Sequence, residues 1–321
     1  MKGILFSLIL FFVTIFLALF LITQKSFVSF YSSQKAIENR IESMIILSKN
    51  VFEDSERALA IIGKRACVSA INFIITNGMP LNSSNETLVE LIINGTINSN
   101  PQPLMEGATV NDWIDTLENL IDLQGFQAKI EIQKLIIQPY DSFNLEIDYR
   151  MKVEISDLRT KTNLTKVQDR KVLLNIEKLE DPLYPLNTYG RIVNTIVKSP
   201  HWLNYSSKDT SNLLDDLNNS YYHPSLYGAS FLDRLEGKYF VQQKYWKKNP
   251  IGLESFVNKD KILSVGLPII VNLTNIDYLY FSNSNVTSYR IANMPDNFRL
   301  DNETTIENKT HLQIYNVSVI P

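Results

Sequence analysis

Cysteine is almost absent from this sequence, since Cys67 is the only one among 321 residues. A single cysteine excludes an intramolecular disulfide, whereas animal and plant extracellular domains of this size usually contain several. Cys67 lies among small apolar residues in the segment 66–70, which predicts a buried side chain. Pairing with a cysteine of another chain is the alternative.

Histidine is also scarce, and the sequence contains no recognisable catalytic or metal-binding motif. His201, His223 and His311 are far apart in sequence, and none lies in a His-Glu-x-x-His pattern, so no zinc centre is predicted. A Gly-x-Ser-x-Gly elbow, a phosphate-binding glycine-rich loop and an EF-hand loop are absent. We therefore assign no catalytic residue, metal ligand or cofactor and expect no enzyme, although a nucleophile and its base can meet only in the fold.

An excess of basic residues is missing too. The chain has 31 Lys and Arg against 34 Asp and Glu, without a basic stripe, so nucleic-acid binding is not predicted. Charged residues make up 20% and hydrophobic residues 45% of the chain, which is typical of a globular protein rather than a disordered one.

What the sequence does contain is a long apolar run from Ile4 to Ile22 without a charged residue. As a helix it would span about 28 Å, close to the hydrocarbon thickness of a bilayer. A cleaved signal peptide has a shorter apolar region, followed by small residues that are missing after Ile22. We therefore expect an uncleaved signal anchor, with residues 1–3 as a cytoplasmic tail and residues 4–23 crossing the membrane.

The orientation of this anchor is predicted from glycosylation sequons. Lysine and arginine residues on its two sides do not decide the question, because Lys2 precedes the run and Lys25, Lys35 and Arg40 follow it. Glycan acceptors must reach a transferase outside the cytosol, so the sequons predict a cytoplasmic N-terminus and an extracytoplasmic C-terminal domain. The candidate acceptors are Asn82, Asn85, Asn94, Asn163, Asn204, Asn218, Asn272, Asn285, Asn302, Asn308 and Asn316.

These eleven sequons are more than chance placement produces. The chain has 31 Asn and 45 Ser and Thr, for which random order gives about four sequons. The alternative is that loops rich in these residues form the tripeptide by chance. An extracytoplasmic chain with many sequons and no disulfide fits a prokaryotic cell surface, and an archaeal one best, because archaea glycosylate the same tripeptide.

Residues 24–76 are predicted to form a membrane-proximal amphipathic helix. Ser48 and Ser55 occupy two positions of its apolar seam, which favours packing against the chain's own domain over a coiled coil. The apolar positions follow steps of three, four and seven residues: Ile37, Ile41, Met44, Ile45, Val51, Phe52, Ala58, Leu59 and Ile62.

A β-rich domain is predicted for residues 77–181. Apolar and polar residues alternate from Phe143 to Ile155, as in a strand with one buried face. Strands over 126–137 and 171–176 on either side complete an antiparallel meander. Two helices, near Thr87–Ile93 and Asn111–Leu123, precede it.

A mixed α+β domain is predicted for residues 182–321, after the break at Asp181-Pro182. Patterns there predict helices at 187–198, 209–217 and 225–236, and strands at Tyr239–Trp246, Ile276–Phe281 and Leu312–Val319. The fold class is therefore α+β: a transmembrane helix that continues into an amphipathic helix, packed on an extracytoplasmic domain with an antiparallel β-meander.

The densest group of polar and aromatic residues lies in 221–224 and 228–237. Asp233, Arg234 and Glu236, with nearby Tyr and His, could line a carbohydrate or peptide site. The alternative is a short helix that buries its apolar residues, ends at Gly237 and turns these charges to solvent.

The N-terminus resembles that of type IV pilin-like proteins. Met1, Lys2 and Gly3 ahead of the apolar run are similar to a minimal prepilin processing site, but Leu8 stands where such proteins commonly carry glutamate. The segments 181–184 and 228–237 resemble parts of archaeal membrane-anchored surface proteins without an assigned activity. The resemblance implies envelope or pilus-like proteins as partners, besides the lipid bilayer.

The sequence thus predicts a single-pass glycoprotein with a structural or interaction role at the cell envelope. A membrane-tethered enzyme or a ligand-binding ectodomain that acts on envelope glycans or peptides is the alternative.

Overall fold

Helix α1 runs without interruption from Lys2 to Asn77 in the computed structural model, which describes residues 2–245 and 249–320. The fold is α+β, as predicted. The further helices of the described residues are α2 (Ser84–Asn94), α3 (Val110–Asp122), α4 (Leu183–Asn187), α5 (Ser211–Asn219), α6 (Phe231–Leu235), α7 (Lys259–Ser264), α8 (Asp277–Phe281) and α9 (His311–Ile314).

The strands form small antiparallel sheets. The sheet orders are β1-β2, β3-β4-β5, β6-β7 and β10-β8-β9. The strands are β1 (Thr96–Ile97), β2 (Asn100–Pro101), β3 (Gln127–Pro139), β4 (Asn144–Asp157), β5 (Thr162–Asn175), β6 (Tyr222–Ser225), β7 (Gly252–Ser255), β8 (Ser288–Ile291), β9 (Arg299–Asp301) and β10 (Val319–Ile320).

The first part of α1 has no contact that buries it. Every described side chain from Phe6 to Ile22 is exposed, although the mean hydropathy of the most apolar window reaches 2.3. Within the described residues this is the one helix that is long and apolar enough to cross a membrane.

Among the described side chains of α1, burial begins at Met44, about six turns beyond the apolar run. From there the buried positions follow helical spacing, so one face of the helix packs against the protein. Ser48 and Ser55 belong to this face, which confirms packing on the chain's own domain from Met44 onward. Ile37, Ile41 and Ile45, by contrast, remain 39%, 40% and 51% exposed. The buried positions are Met44, Ser48, Val51, Phe52, Ser55, Leu59, Ile62, Gly63, Ala66, Cys67, Ser69, Ala70, Ile71 and Ile74.

Cys67 is buried on this face of α1, as the sequence indicates, and only 2% of it is exposed. Burial raises the pKa of its thiol to about 12, because the thiolate loses its hydration there. Pairing with a cysteine of another chain would require this part of α1 to leave its packing site.

The chain divides into two compact units. Unit 1 comprises Met1–Asp54, Leu117–Glu131 and Lys152–Val167, and unit 2 comprises Ser55–Thr116, Ile132–Met151 and Gln168–Pro321. The domain boundaries at residues 77 and 182 stay predictions.

In unit 1, Arg40 of α1 holds the end of strand β4. Its Nε and one terminal nitrogen donate to the two carboxylate oxygens of Asp157 at 2.8 and 2.9 Å, and that terminal nitrogen also donates to the Gly125 carbonyl at 2.8 Å. The guanidinium carbon lies 3.9 Å above the centre of the Phe126 ring. The Arg40 hydrogen bonds keep the pKa of Asp157 well below its usual range, so this ion pair persists into acid.

The β3-β4-β5 meander confirms the predicted sheet. The apolar residues of β4 from Leu145 to Ile155 are all buried. Strand β5 begins at Thr162, nine residues before the predicted start at 171. Its first ten residues are half-buried or exposed in alternation, so they lack the apolar signal by which a strand is recognised.

In unit 2, α1 packs closely against the sheet. The hydroxyls of Ser55 and Tyr149 lie 2.7 Å apart, both within buried residues. A Cβ at Gly63 would lie 2.9 Å from the Cδ1 atoms of Ile147 and Leu174, so glycine permits this close approach. Ser55 and Gly63 therefore match specific partners on β4 and β5.

The structure corrects several predicted elements between residues 182 and 321. The predicted helix 187–198 is instead α4 (Leu183–Asn187) followed by irregular chain. The predicted helix 225–236 is reduced to α6 (Phe231–Leu235), and its first residue is the end of strand β6. The predicted strand Ile276–Phe281 is helix α8, because a short buried apolar run does not distinguish the two by period. Helix 209–217 is confirmed as α5.

Two further predicted strands are mostly wrong. Tyr239–Trp246 contains only an isolated bridge at Phe240 and a 3-10 helix at Gln243–Tyr245, and Trp246 lies outside the described residues. Leu312–Val319 falls largely on α9 and an irregular segment, and only its end belongs to β10. Both helices predicted before the meander are confirmed as α2 and α3.

Candidate functional site

The two-stranded ribbon β6-β7 is the centre of a buried polar region in unit 2. Tyr222 pairs with Ser255 and His223 pairs with Glu254 in its antiparallel register. Because successive side chains of a strand point to opposite faces, Tyr222 and Ser255 share one face and His223 and Glu254 share the other. All four residues are fully buried, so each face must satisfy its polar groups within the protein.

The first face carries the Arg234 cluster, which we define as Asp181, Tyr184, Tyr222, Arg234, Ser255 and Asp277. Arg234 of α6 donates to Asp181 at 2.5 Å and to Asp277 at 2.9 Å. The hydroxyls of Tyr222 and Ser255 donate to the same two carboxylates, each at 2.8 Å. Arg234 also donates to the backbone carbonyls of Ala229 and Leu253.

The electrostatics of the Arg234 cluster are those of a structural ion-pair network. Burial opposes the charge of Arg234, but the adjacent Asp181 and Asp277 carboxylates outweigh it and raise the pKa of the guanidinium. Burial raises the pKa of Asp277, and Arg234 offsets part of that increase. The described cavities are not lined by these side chains, so the cluster ties α4, α6, α8 and the ribbon together.

The second face carries the histidine cluster, which we define as Tyr205, Asp216, His223, Glu254, Asp301, His311 and Tyr315. His223 Nε2 lies 3.0 Å from Asp216 and 2.9 Å from the Tyr205 hydroxyl, and its Nδ1 lies 3.1 Å from the Tyr315 hydroxyl. The Tyr315 hydroxyl in turn donates to Glu254 at 2.8 Å. The two histidines are thereby linked through Tyr315 and Glu254.

His311 completes this cluster between two carboxylates. Its Nδ1 lies 2.5 Å from Asp301 and its Nε2 lies 3.4 Å from Glu254. Burial lowers the pKa of the imidazole, but Glu254 and Asp301 raise it further, to about 10. His311 is therefore a cation near neutral pH and is not available there as a general base.

A groove of about 490 Å³ adjoins the histidine cluster, and we call it the Trp202 groove. Trp202 stacks on His223 with ring centres 5.1 Å apart, and Tyr205 belongs to both the groove and the cluster. Leu203 is 59% exposed and has φ of +64°, a left-handed conformation that is uncommon for a bulky residue and often marks a binding site. The groove is lined by Trp202, Leu203, Tyr205, Pro224, Pro250, Ile306, Lys309, Gln313, Ile314 and Asn316.

The chemistry of this groove suits binding better than catalysis. Its walls are aromatic and aliphatic, with a lysine and two amides at the surface, a composition common in ligand sites. Burial raises the pKa of the Tyr205 phenol, so that side chain stays neutral. Among the described residues, no group of three His, Cys, Asp or Glu side chains is placed to hold a metal ion.

The polar group singled out in the sequence proves to be internal. Asp233 is the N3 residue of a capping box with Ser230 at the start of α6, and Arg234 forms the ion pairs described above. Glu236 accepts hydrogen bonds from Ser84 and Lys244. The expectation that these charges face solvent is wrong for Asp233 and Arg234, which are fully buried. Gly237 has φ of +66°, as a residue that ends a helix requires.

The predicted glycosylation sites lie on the protein surface with one partial exception. Ten of the eleven asparagines are exposed, and Asn85 is half-buried while its Oδ1 accepts from the Ile137 backbone at 3.0 Å. Among these asparagines, Asn316 lines the Trp202 groove, which adjoins the histidine cluster.

Sequence reasoning missed most of the histidine cluster. His223 is separated by 31 positions from Glu254 and by 88 from His311, and no local motif links residues at such distances. Only the pairing of β6 with β7 brings them together. Comparison of the chain with protein-family models, with curated proteins and with solved structures gives no match.

Proposed function

We propose that this chain is a single-pass membrane glycoprotein whose extracytoplasmic part has a structural or interaction role at the cell envelope. The observation that carries the proposal is the first part of α1, where every described side chain of an apolar run of bilayer length is exposed. Exposed apolar area of this extent is costly in water and stable in lipid. The sequons support the orientation, with a cytoplasmic N-terminus and an extracytoplasmic C-terminal part.

The interaction role is supported by a second exposed apolar surface on α1, which we call the membrane-proximal stripe. Its residues lie on one side of the helix beyond the apolar run, at spacings of three, seven, four and four. They are Phe27, Phe30, Ile37, Ile41 and Ile45. Such a row on a continuous helix is typical of a helix-packing surface.

The occupant we propose for the stripe is a second copy of this chain. A shared anchor confines all copies to one membrane with one direction, so identical stripe residues lie at the same height in neighbouring copies. The same patch on both molecules then forms a symmetric contact. The charged neighbours Lys35 and Glu38 pair with each other at 3.2 Å and lie beside this row.

Topology is tested by glycopeptide mass spectrometry of the protein from native membranes. Modified asparagines among the eleven sequons are expected. If all eleven are unmodified, the outward orientation is overturned.

Self-association is tested by cysteine cross-linking in those membranes. Cys67 is replaced by alanine, and Ile41→Cys is compared with Asn39→Cys, an exposed position on the other side of α1. A disulfide-linked dimer is expected for Ile41→Cys alone. Equal cross-linking at both positions, or none at Ile41→Cys, would contradict pairing through the stripe without affecting the topology.

A ligand-binding ectodomain is the second candidate, and the Trp202 groove favours it. The groove volume lies within the range of small-molecule sites, about 300–1,000 Å³. An enzyme lacks comparable support, because the Tyr205 hydroxyl beside His223 donates to Asp216 at 2.6 Å and burial raises its pKa, which keeps it neutral.

A further inference from the structure

Three sequons meet at the Trp202 groove, although they are spread over more than 110 residues of sequence. Asn204 lies between the lining residues Leu203 and Tyr205, and Asn308 precedes the lining residue Lys309. Asn316 is itself part of the lining. The groove therefore places acceptor asparagines next to the half-buried rings of Trp202 and Tyr205.

Asn316 is held in a position suited to modification. It is exposed and has φ of +44°, a left-handed conformation that asparagine tolerates. Its Nδ2 donates to the backbone carbonyl of Tyr205 at 3.2 Å. A carboxamide nitrogen carries two hydrogens, so one can be replaced while the other keeps this bond.

We infer that Asn316 carries an N-linked glycan whose first sugars lie in the Trp202 groove against Trp202 and Tyr205. This inference rests on the proposed extracytoplasmic location. The occupant of the groove is then the chain's own glycan, because Asn316 is part of the groove lining and its Nδ2 is bonded to the backbone of Tyr205.

The modification is a transfer from a lipid-linked oligosaccharide by a membrane transferase. Asn316 Nδ2 forms a bond to the anomeric carbon of the first sugar and loses one proton to a base of the transferase. The bond from that carbon to the lipid phosphate oxygen breaks, and the lipid phosphate leaves with the electron pair. No oxidation or reduction is involved.

The groove fits the two kinds of surface that a pyranose presents. One face of the sugar ring carries mostly C–H groups. When this face stacks on an aromatic ring, apolar area of both the sugar and the ring is removed from water. Hydroxyl groups at the sugar edge can bond to the polar side chains of Gln313 and Lys309 at the rim. A glycan on Asn316 would thereby shield Trp202 and, behind it, His223.

The test compares the full chain from native membranes with three variants. Ser318→Ala removes the Asn316 sequon and keeps the asparagine, and Ser318→Thr retains the sequon. Thr165→Ala removes the Asn163 sequon on strand β5, whose residues are not part of the groove. Glycopeptide mass spectrometry measures occupancy, and hydrogen exchange measures protection of the segment 201–206.

The expected result is an occupied Asn316 and about fivefold slower exchange of 201–206 in wild type and Ser318→Thr than in Ser318→Ala. Thr165→Ala should match wild type there. The inference is overturned if Asn316 is unmodified while other sequons are modified, or if Asn316 is modified and exchange in 201–206 equals that of Ser318→Ala. If every sequon is unmodified, the proposed location fails as well, which distinguishes the two failures.

Discussion

His223 and Glu254 face each other across the β6-β7 ribbon, and neither side chain is accessible to solvent. Tyr315 joins them, since its hydroxyl donates to Glu254 at 2.8 Å and lies 3.1 Å from His223 Nδ1. A buried carboxylate on such a ribbon needs a positive partner, and His311 supplies it. The stability of this part of unit 2 therefore depends on the charge of His311.

The first prediction concerns pH. The pKa of His311 is raised from 6.5 to about 10 in the folded protein, so its stabilisation is complete below pH 6.5 and is lost as pH rises to about 10. His311→Gln should lower the free energy of unfolding most at pH 6.5, and the gap to wild type should narrow by about 1.4 kcal/mol per pH unit at most. Urea denaturation at pH 6.5, 8 and 9.5 measures the gap.

The measurement compares wild type with His311→Gln at each pH, because the titration of Lys259 changes the stability of wild type in the opposite direction. Burial and the nearby Arg299 charge lower the pKa of Lys259 to about 7, so its effect on stability becomes more favourable as pH rises from 7 to 10.5. That contribution is common to wild type and His311→Gln and cancels. A gap that stays constant from pH 6.5 to 9.5 would show that His311 is not charged in the folded state.

The second prediction concerns the Arg234 cluster. Arg234→Met leaves the Asp181 and Asp277 carboxylates buried without their cation, which should cost about 3–5 kcal/mol in the free energy of unfolding. Arg290→Met removes an exposed ion pair with Asp296 and should change stability little. Equal effects of the two substitutions in urea denaturation would refute a structural role for the buried cluster.

The third prediction concerns the contact of α1 with the sheet in unit 2. Ser55→Ala and Tyr149→Phe each remove one partner of a buried hydrogen bond of 2.7 Å and should each cost about 1–3 kcal/mol. The loss in the free energy of unfolding of the double variant should be smaller than the sum of the two single losses, by roughly 0.5–1.5 kcal/mol. Strict additivity of the three measured free energies would mean that the two hydroxyls do not interact.

The fourth prediction concerns the close approach of two glycines. A Cβ at Gly252 would lie 1.8 Å from the carbonyl oxygen of Gly228. Because that oxygen belongs to the backbone, it cannot move away as the end of a flexible side chain can. Gly252→Ala should therefore cost more than the roughly 1–3 kcal/mol of ordinary overpacking. Gly107→Ala is the control, because nothing lies within 4 Å of its Cβ and only its φ of +64° adds a cost of about 1–2 kcal/mol. Thermal denaturation of both variants decides whether steric overlap dominates.

Sequence reasoning succeeded where one physical signal dominates. The length and apolar character of the Ile4–Ile22 run predict a helix, and α1 contains it. The strict alternation of β4 predicts a strand with one buried face, and every apolar position from Leu145 to Ile155 is buried. In both cases the pattern extends over more than ten residues and depends on a single period.

The same reasoning failed where the core is polar. Asp233 and Arg234 read as surface charges because charged residues are seldom fully buried. Here Asp181 and Asp277 pair with Arg234, and Ser230 and the Gln242 backbone donate to Asp233. Segments 221–224 and 228–237 are the densest polar and aromatic group in the sequence, but Glu254, Asp301 and His311 carry no local signal. Their roles depend on strand pairing, which no spacing in the sequence expresses.

The polar residues on both faces of the ribbon have a consequence for how its strands find their register. A slip of β6 by one residue would turn its side chains to the opposite faces, placing His223 among the partners of Tyr222 and leaving the Asp181 carboxylate without that hydroxyl donor. In a ribbon with two apolar faces, a misaligned pairing would still pack apolar side chains against apolar side chains and would be nearly as stable. Here an exchange of faces would leave buried charged groups without their partners. The native pairing of β6 and β7 is therefore strongly favoured over such misaligned pairings.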